Sequence, residues 1–235
     1  MWWFNRKKRS SELQKFINEV CLTRKQDYTV VTHCSDKSVG IARSLVFNVL
    51  FYSEEFVNDL INESKGQTKS SLETMKDDLV MEVAIFTCFS LKSRRDVETH
   101  IVQEKYENLR KEWKDGLYSC VSLTGSVLGA FTAEFFDQKI DEMNKVIHGR
   151  INRYLIKRTL KEDVFAEAIS NIAFTAERGL LAQRNEKRDV QLDPQFLILL
   201  PMIFNSYVSH MIGGIYGVAQ NLYKHTFPNE PNDVN

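Results

Sequence analysis

The first proline in this chain is residue 194, and all four (Pro194, Pro201, Pro228, Pro231) lie in the last 42 of 235 residues. Proline removes a backbone donor and breaks helices. Its absence over 193 residues, alongside only ten glycines, constrains the chain to a helical fold. The apolar spacing agrees. Leu13, Phe16, Ile17, Val20 and Cys21 follow i, i+3, i+4, i+7, i+8 after a Ser11-x-x-Gln14 capping box, which predicts a first helix over 11–25.

The same reasoning continues along the chain. After "YTVVTH", the only β-like stretch, Ser35 or Asp36 is expected to cap a helix that runs to about Glu63 and stops near Gly66. Ser70-x-x-Glu73 reads as a second capping box for a helix to Leu91, and Asp96 as the cap of another that stops at Gly116. From Leu117 the positions Val121, Thr124, Leu128, Phe131 and Phe135 make a 4-3-4-3-4 seam continuing into 136–160, with a bend expected at Gly149. A further helix is expected over 163–184, then a long loop, then a last helix begun by Asp193 and Pro194 as N-cap and N1.

The predicted fold is therefore all-α: a single bundle domain of seven to nine helices with long central and C-terminal helices. Residues 1–10 form a basic and aromatic N-terminal segment, 11–226 the helical domain and 227–235 a disordered tail. Nothing in the sequence repeats at a solenoid period.

Lysines and arginines number 31, as do aspartates and glutamates, so no global field draws a polyanion, and nucleic acid is disfavoured as a partner. Four scattered cysteines (Cys21, Cys34, Cys88, Cys120), none in a C-x-x-C, favour a reducing compartment and a cytoplasmic location. In the N-terminal "MWWFNRKKRSS" the apolar residues precede the cations, the reverse of a secretory signal. Trp2, Trp3, Phe4, Arg6, Lys7, Lys8 and Arg9 instead suit reversible contact with an anionic membrane surface, or folding back onto the bundle.

Chemistry-bearing patterns are sparse. No histidine belongs to H-E-x-x-H or follows a glutamate by three, and there is no G-x-G-x-x-G or phosphate loop. "THCSD" (Thr32–Asp36) places Cys34 before a helix start, yet Ser35 and Asp36 are better read as caps. His100 with Glu104, Asp78 with Glu82, and Asp137 with Asp141 each offer two metal ligands, which do not make a site. No cofactor or metal is expected.

Two segments without Asp, Glu, Lys or Arg, 116–133 and 194–223, are long enough to be tested as membrane spans. In the second, Phe204, Val208, Met211, Ile215, Val218 and Leu222 form an apolar seam opposite Ser206, His210, Gly213, Gly217 and Gln220. That pattern favours a core helix of a bundle over a lipid-exposed one. His210 is expected to be a hydrogen-bonded core histidine. The small-residue rows Gly125, Gly129, Ala133 and Ser209, Gly213, Gly217 are expected to permit close helix packing, against one another or in a homodimer seam. On a helix Arg150, Arg153, Lys157 and Lys161 form one basic stripe, either paired within the protein or offered to an acidic partner, lipid or nucleic acid.

The expected function is non-enzymatic: a cytosolic helical protein acting through a protein partner or through itself. Two alternatives stand beside it. One is a peripheral membrane protein held by the N-terminal segment; the other is a helical enzyme or metalloprotein with ligands from distant helices, around Glu82, His100, Glu134 and His148.

Overall fold

A computed structural model describes residues 30–103, 111–135, 137–183 and 191–228. Among them are seven helices of described extent and no strand: α1 (Lys37–Glu63), α2 (Gly66–Thr74), α3 (Lys76–Gln103), α4 (Lys111–Phe135), α5 (Ile140–Thr159), α6 (Val164–Gln183) and α7 (Pro194–Thr226). The all-α single-domain expectation holds. "YTVVTH" contributes no strand from its described part, because residues 30–32 are helical.

The acidic caps act as their spacing predicts. At the start of α1, Asp36 Oδ1 accepts from the Ser38 amide at 2.9 Å and from the Val39 amide at 3.3 Å. Asp193 Oδ1 accepts from the Gln195 amide at 2.9 Å, ahead of Pro194 in α7. Both are side-chain oxygens satisfying amides that a helix start leaves unpaired. Asp163 does the same for α6 through the Ala166 amide at 2.9 Å.

α1 ends at Glu63 as expected, and α2 begins at once at Gly66, which takes the left-handed region at φ 55°. Four other expected boundaries lie elsewhere. The Ser70 capping box falls inside a helix, where the Ser70 carbonyl accepts from Thr74 Oγ1 at 2.8 Å. α3 passes through the expected break near 91–96, since no glycine or proline interrupts 76–103. α4 passes through Gly116, where the missing Cβ makes room for the Tyr223 hydroxyl. The long seam turns not at Gly149, which lies inside α5, but at Asp137. Asp137 takes φ 53°, and the Gln138 amide donates to the Ala133 carbonyl at 2.8 Å. This is a left-handed helix stop, which a short polar side chain tolerates.

The stop reverses the chain, and α5 returns antiparallel along α4. A Cβ at Gly125 would lie 3.2 Å from His148 Cε1, and one at Gly129 would strike the Asn144 amide. The α4 row of small residues therefore packs against α5, not against the row on α7 as expected.

The core is centred on Phe204 of α7, fully buried, with ring centroids 5.4 Å from Phe56 (α1), 5.1 Å from Phe86 (α3) and 5.2 Å from Phe165 (α6). Tyr154 of α5 joins through Phe86 (5.6 Å) and Phe89 (5.3 Å). One aromatic cluster thus ties five helices together. Beyond α7, Phe227 packs on Tyr223 at 4.8 Å, so the expected disordered tail does not begin there; 229–235 lie outside the described residues.

Candidate functional site

The basic stripe on α5 is the first surface to resolve. Arg150 pairs with Glu82 of α3, Arg153 Nε with Glu167 Oε1 of α6 at 2.7 Å, and Lys157 Nζ with Glu167 Oε2 at 2.8 Å and Glu162 Oε2 at 3.2 Å. Lys161 is exposed at φ 59°, past the end of α5. Three of the four expected cations are therefore paired with the protein's own carboxylates. Glu167, the residue that takes two of them, stood out in no sequence pattern, because its role depends on α6 lying beside α5.

Glu82 carries a testable consequence. Burial raises its carboxyl above the ordinary value of 4.5, and the Arg150 charge and hydrogen bond offset this only in part. A carboxyl whose folded pKa is raised contributes stability that is complete below its unfolded pKa and is lost as pH rises through the folded value. Urea midpoints measured from pH 4.5 toward neutrality are thus expected to show Glu82→Gln gaining stability relative to the parent protein as pH rises. A constant difference across that range would contradict this assignment.

The metal-centred expectation finds no assembled site. Among the described residues no group of three or more His, Cys, Asp or Glu is placed to hold a metal ion. Glu82 is committed to Arg150, Glu134 is exposed, and His148 Nε2 lies 2.9 Å from Ser126 Oγ; the His100 side chain lies outside the described residues. In "THCSD", Asp36 is a cap and Cys34 a half-buried thiol beside Gly40. The N-terminal residues Trp2 to Arg9 also lie outside the described residues.

The remaining surface is the outer side of α7. Two stretches, Gly116–Glu134 and Pro194–Thr226, are long and apolar enough to cross a membrane by length and composition, but they are placed differently: half of the first is buried and only 28% of the second. Of the α7 seam, Phe204, Ile215 and Leu222 are buried, and Val208, Met211 and Val218 are half-buried against the core. The opposite side is open. Ile198 is 66% exposed and Met202 64%. Exposed Ser206 and His210 follow at four-residue intervals, so the four form one ridge. Ser209 is exposed, Gly213 half-buried, and a Cβ on Gly217 would meet nothing within 4 Å. His210 is therefore not the core histidine expected. Its Nδ1 donates to the Ser206 carbonyl at 2.9 Å, leaving the rest of the ring outward.

Between this ridge and α1 runs a cleft of about 560 Å³. Phe56 and Tyr207 form its buried floor, Tyr52, Ile203 and Met211 its half-buried sides, and Glu55, Asn58, Asp59, Ser206 and His210 its mouth. The Tyr207 hydroxyl lies 2.8 Å from Thr87 Oγ1 and 3.3 Å from Ser53 Oγ. Burial pushes its pKa up to about 12. It is thus a fixed neutral phenol, which holds the cleft wall in place. Glu55 is shifted upward by desolvation first, then by the charges of Asp59 and Glu54. The arrangement suits binding: rings below, carboxylates at the rim, an uncharged ridge alongside. No protein-family model matches this chain, and no curated protein or solved structure does either.

Proposed function

We propose that the protein acts without catalysis, as a cytoplasmic helical protein that binds a protein partner through the outer face of α7. One observation carries this: a 33-residue helix whose positions 194–223 hold no Asp, Glu, Lys or Arg has only 28% of its apolar stretch buried. Depletion of charge at an exposed face distinguishes protein interfaces from ordinary surface, and a contiguous exposed apolar patch marks interaction sites. The other charge-free stretch, 116–133, is half buried, so α7 is the one that leaves most of its uncharged surface open.

Introducing charge on the ridge tests the reading. Ile198→Glu with Met202→Glu is expected to abolish association, read as mass by light scattering for self-association and as co-purification for a different chain. Both side chains are exposed. The urea midpoint should therefore correspond to a change within about 0.5 kcal/mol, the usual range for surface substitutions. Association that survives both substitutions would overturn the proposal.

The exposed apolar helix also supports a second reading, contact with an anionic membrane surface together with the N-terminal aromatic and basic segment. It predicts co-sedimentation with anionic vesicles that disappears on deletion of residues 2–9. The exposed polar side chains Asn205, Ser206, Ser209 and His210 in the middle of α7 favour the protein partner.

A further inference from the structure

The acidic mouth of the α1/α7 cleft gives the partner a chemistry. Carboxylates close to the core are matched by cations elsewhere: Glu54 by Lys76 at 2.7 Å, Glu82 by Arg150, Glu167 by Arg153 and Lys157. Glu55 and Asp59 are one helical turn apart on α1, both exposed at the cleft mouth, and neither has a cation partner among the described residues. Below them are the rings of Tyr52, Phe56 and Tyr207. We infer that this cleft receives a cationic side chain of the protein partner, arginine foremost, with Glu55 and Asp59 as charge partners, the half-buried ring of Tyr52 as the stacking surface, and Phe56 and Tyr207 as the apolar floor. The inference rests on α7 as the partner-binding face.

Arginine fits better than a metal ion or a lysine. No metal-holding group is present among the described residues. A planar guanidinium both forks onto carboxylates and stacks on aromatic faces. The cleft, at about 560 Å³, lies within the size range of binding pockets and accommodates more than one side chain. The ridge Ile198–Met202–Ser206–His210 runs from the apolar patch into the mouth, so apolar neighbours of the arginine rest on Ile198 and Met202 while its head reaches Glu55 and Asp59. The like charges of Glu55 and Asp59, which raise the Glu55 carboxyl after desolvation, are relieved by such an occupant.

The test is an amide NMR titration of the full chain with the peptide acetyl-Leu-Leu-Arg-Leu-amide and its citrulline counterpart, which keeps the shape and removes the charge. Saturable shifts at Ser206 and Tyr207 are expected with the arginine peptide. They should weaken about tenfold with citrulline and again with Glu55→Gln/Asp59→Asn, as loss of charge-assisted hydrogen bonds requires. Both substituted residues are exposed, so an unchanged urea midpoint shows that the variant is folded. No saturable shift, or equal affinity for the two peptides, overturns the inference. If either occurs while Ile198→Glu/Met202→Glu still abolishes association, the α7 reading stands and the arginine site alone falls. A third peptide, residues 1–11 of this chain, separates a foreign partner from the chain's own basic arm. Cleft binding by that peptide alone overturns the inference in favour of an internal occupant.

Discussion

Phe204→Ala is expected to cost about 3–5 kcal/mol, the range for deleting a buried aromatic ring. Phe204 has no exposed surface, and its ring meets Phe56, Phe86 and Phe165 within 5.4 Å and Tyr207 at 6.1 Å. Those partners come from three other helices and from α7 itself, so the site cannot collapse by moving one side chain, and the cavity term stays near its maximum. Single domains have about 5–15 kcal/mol in total, so this one change removes a large share of the stability. Phe204→Leu, which refills most of the volume, should cost less than about 2 kcal/mol. Urea midpoints of the two variants check the pair, and equal effects would show that the cluster is not the keystone of the core. Because Tyr207 floors the α1/α7 cleft, Phe204→Ala should also weaken binding there, whereas the exposed α7 substitutions leave stability unchanged.

The helical class was legible because proline's absence acts at every position, and the acidic caps were legible because a cap is a local device. Asp36 and Asp193 bond amides two or three residues away, which a sequence displays directly. The glycines misled for the opposite reason. Gly116 read as a helix stop and Gly149 as a bend, yet Gly116 lies within α4 to admit Tyr223, and that need arises from a helix far down the chain. The true reversal uses Asp137, a residue type the left-handed region tolerates but does not require. The same limit applies to the site. The basic stripe on α5 was visible as periodicity, but its pairing depends on Glu82 and Glu167, supplied by α3 and α6. Glu55 and Asp59 stood out in no sequence pattern, because the aromatic floor that gives them meaning is completed by Tyr207 of α7. Periodicity shows which face a residue occupies; it does not show what stands opposite.

Gly179→Ala is the second large effect expected, and its sign is opposite to that of helix propensity. Alanine favours a helix interior by about 1 kcal/mol over glycine, so on propensity alone the change should stabilise α6. Gly179 is buried where α6 crosses α2, and a Cβ there would lie 2.7 Å from the Ser71 carbonyl oxygen and 2.7 Å from Met75 Cγ, besides striking the Ser71 hydroxyl. Met75 Cγ lies near the root of a buried side chain, and the Ser71 carbonyl is backbone and moves only with α2. The Ser71 hydroxyl also donates to the Ala176 carbonyl, a buried bond that a separated α2 would leave unmade. Overpacking of about 1–3 kcal/mol plus the lost bond outweighs the propensity gain, for a net loss of about 2 kcal/mol or more. Gly217→Ala is the control, because nothing lies within 4 Å of its Cβ. Propensity then acts alone, and the change should stabilise by up to about 1 kcal/mol. Urea denaturation of both variants decides the matter. Opposite signs would establish that glycine serves close packing on α6 and leaves an open outer surface on α7; a stabilised Gly179→Ala would show that α2 and α6 are not held so tightly.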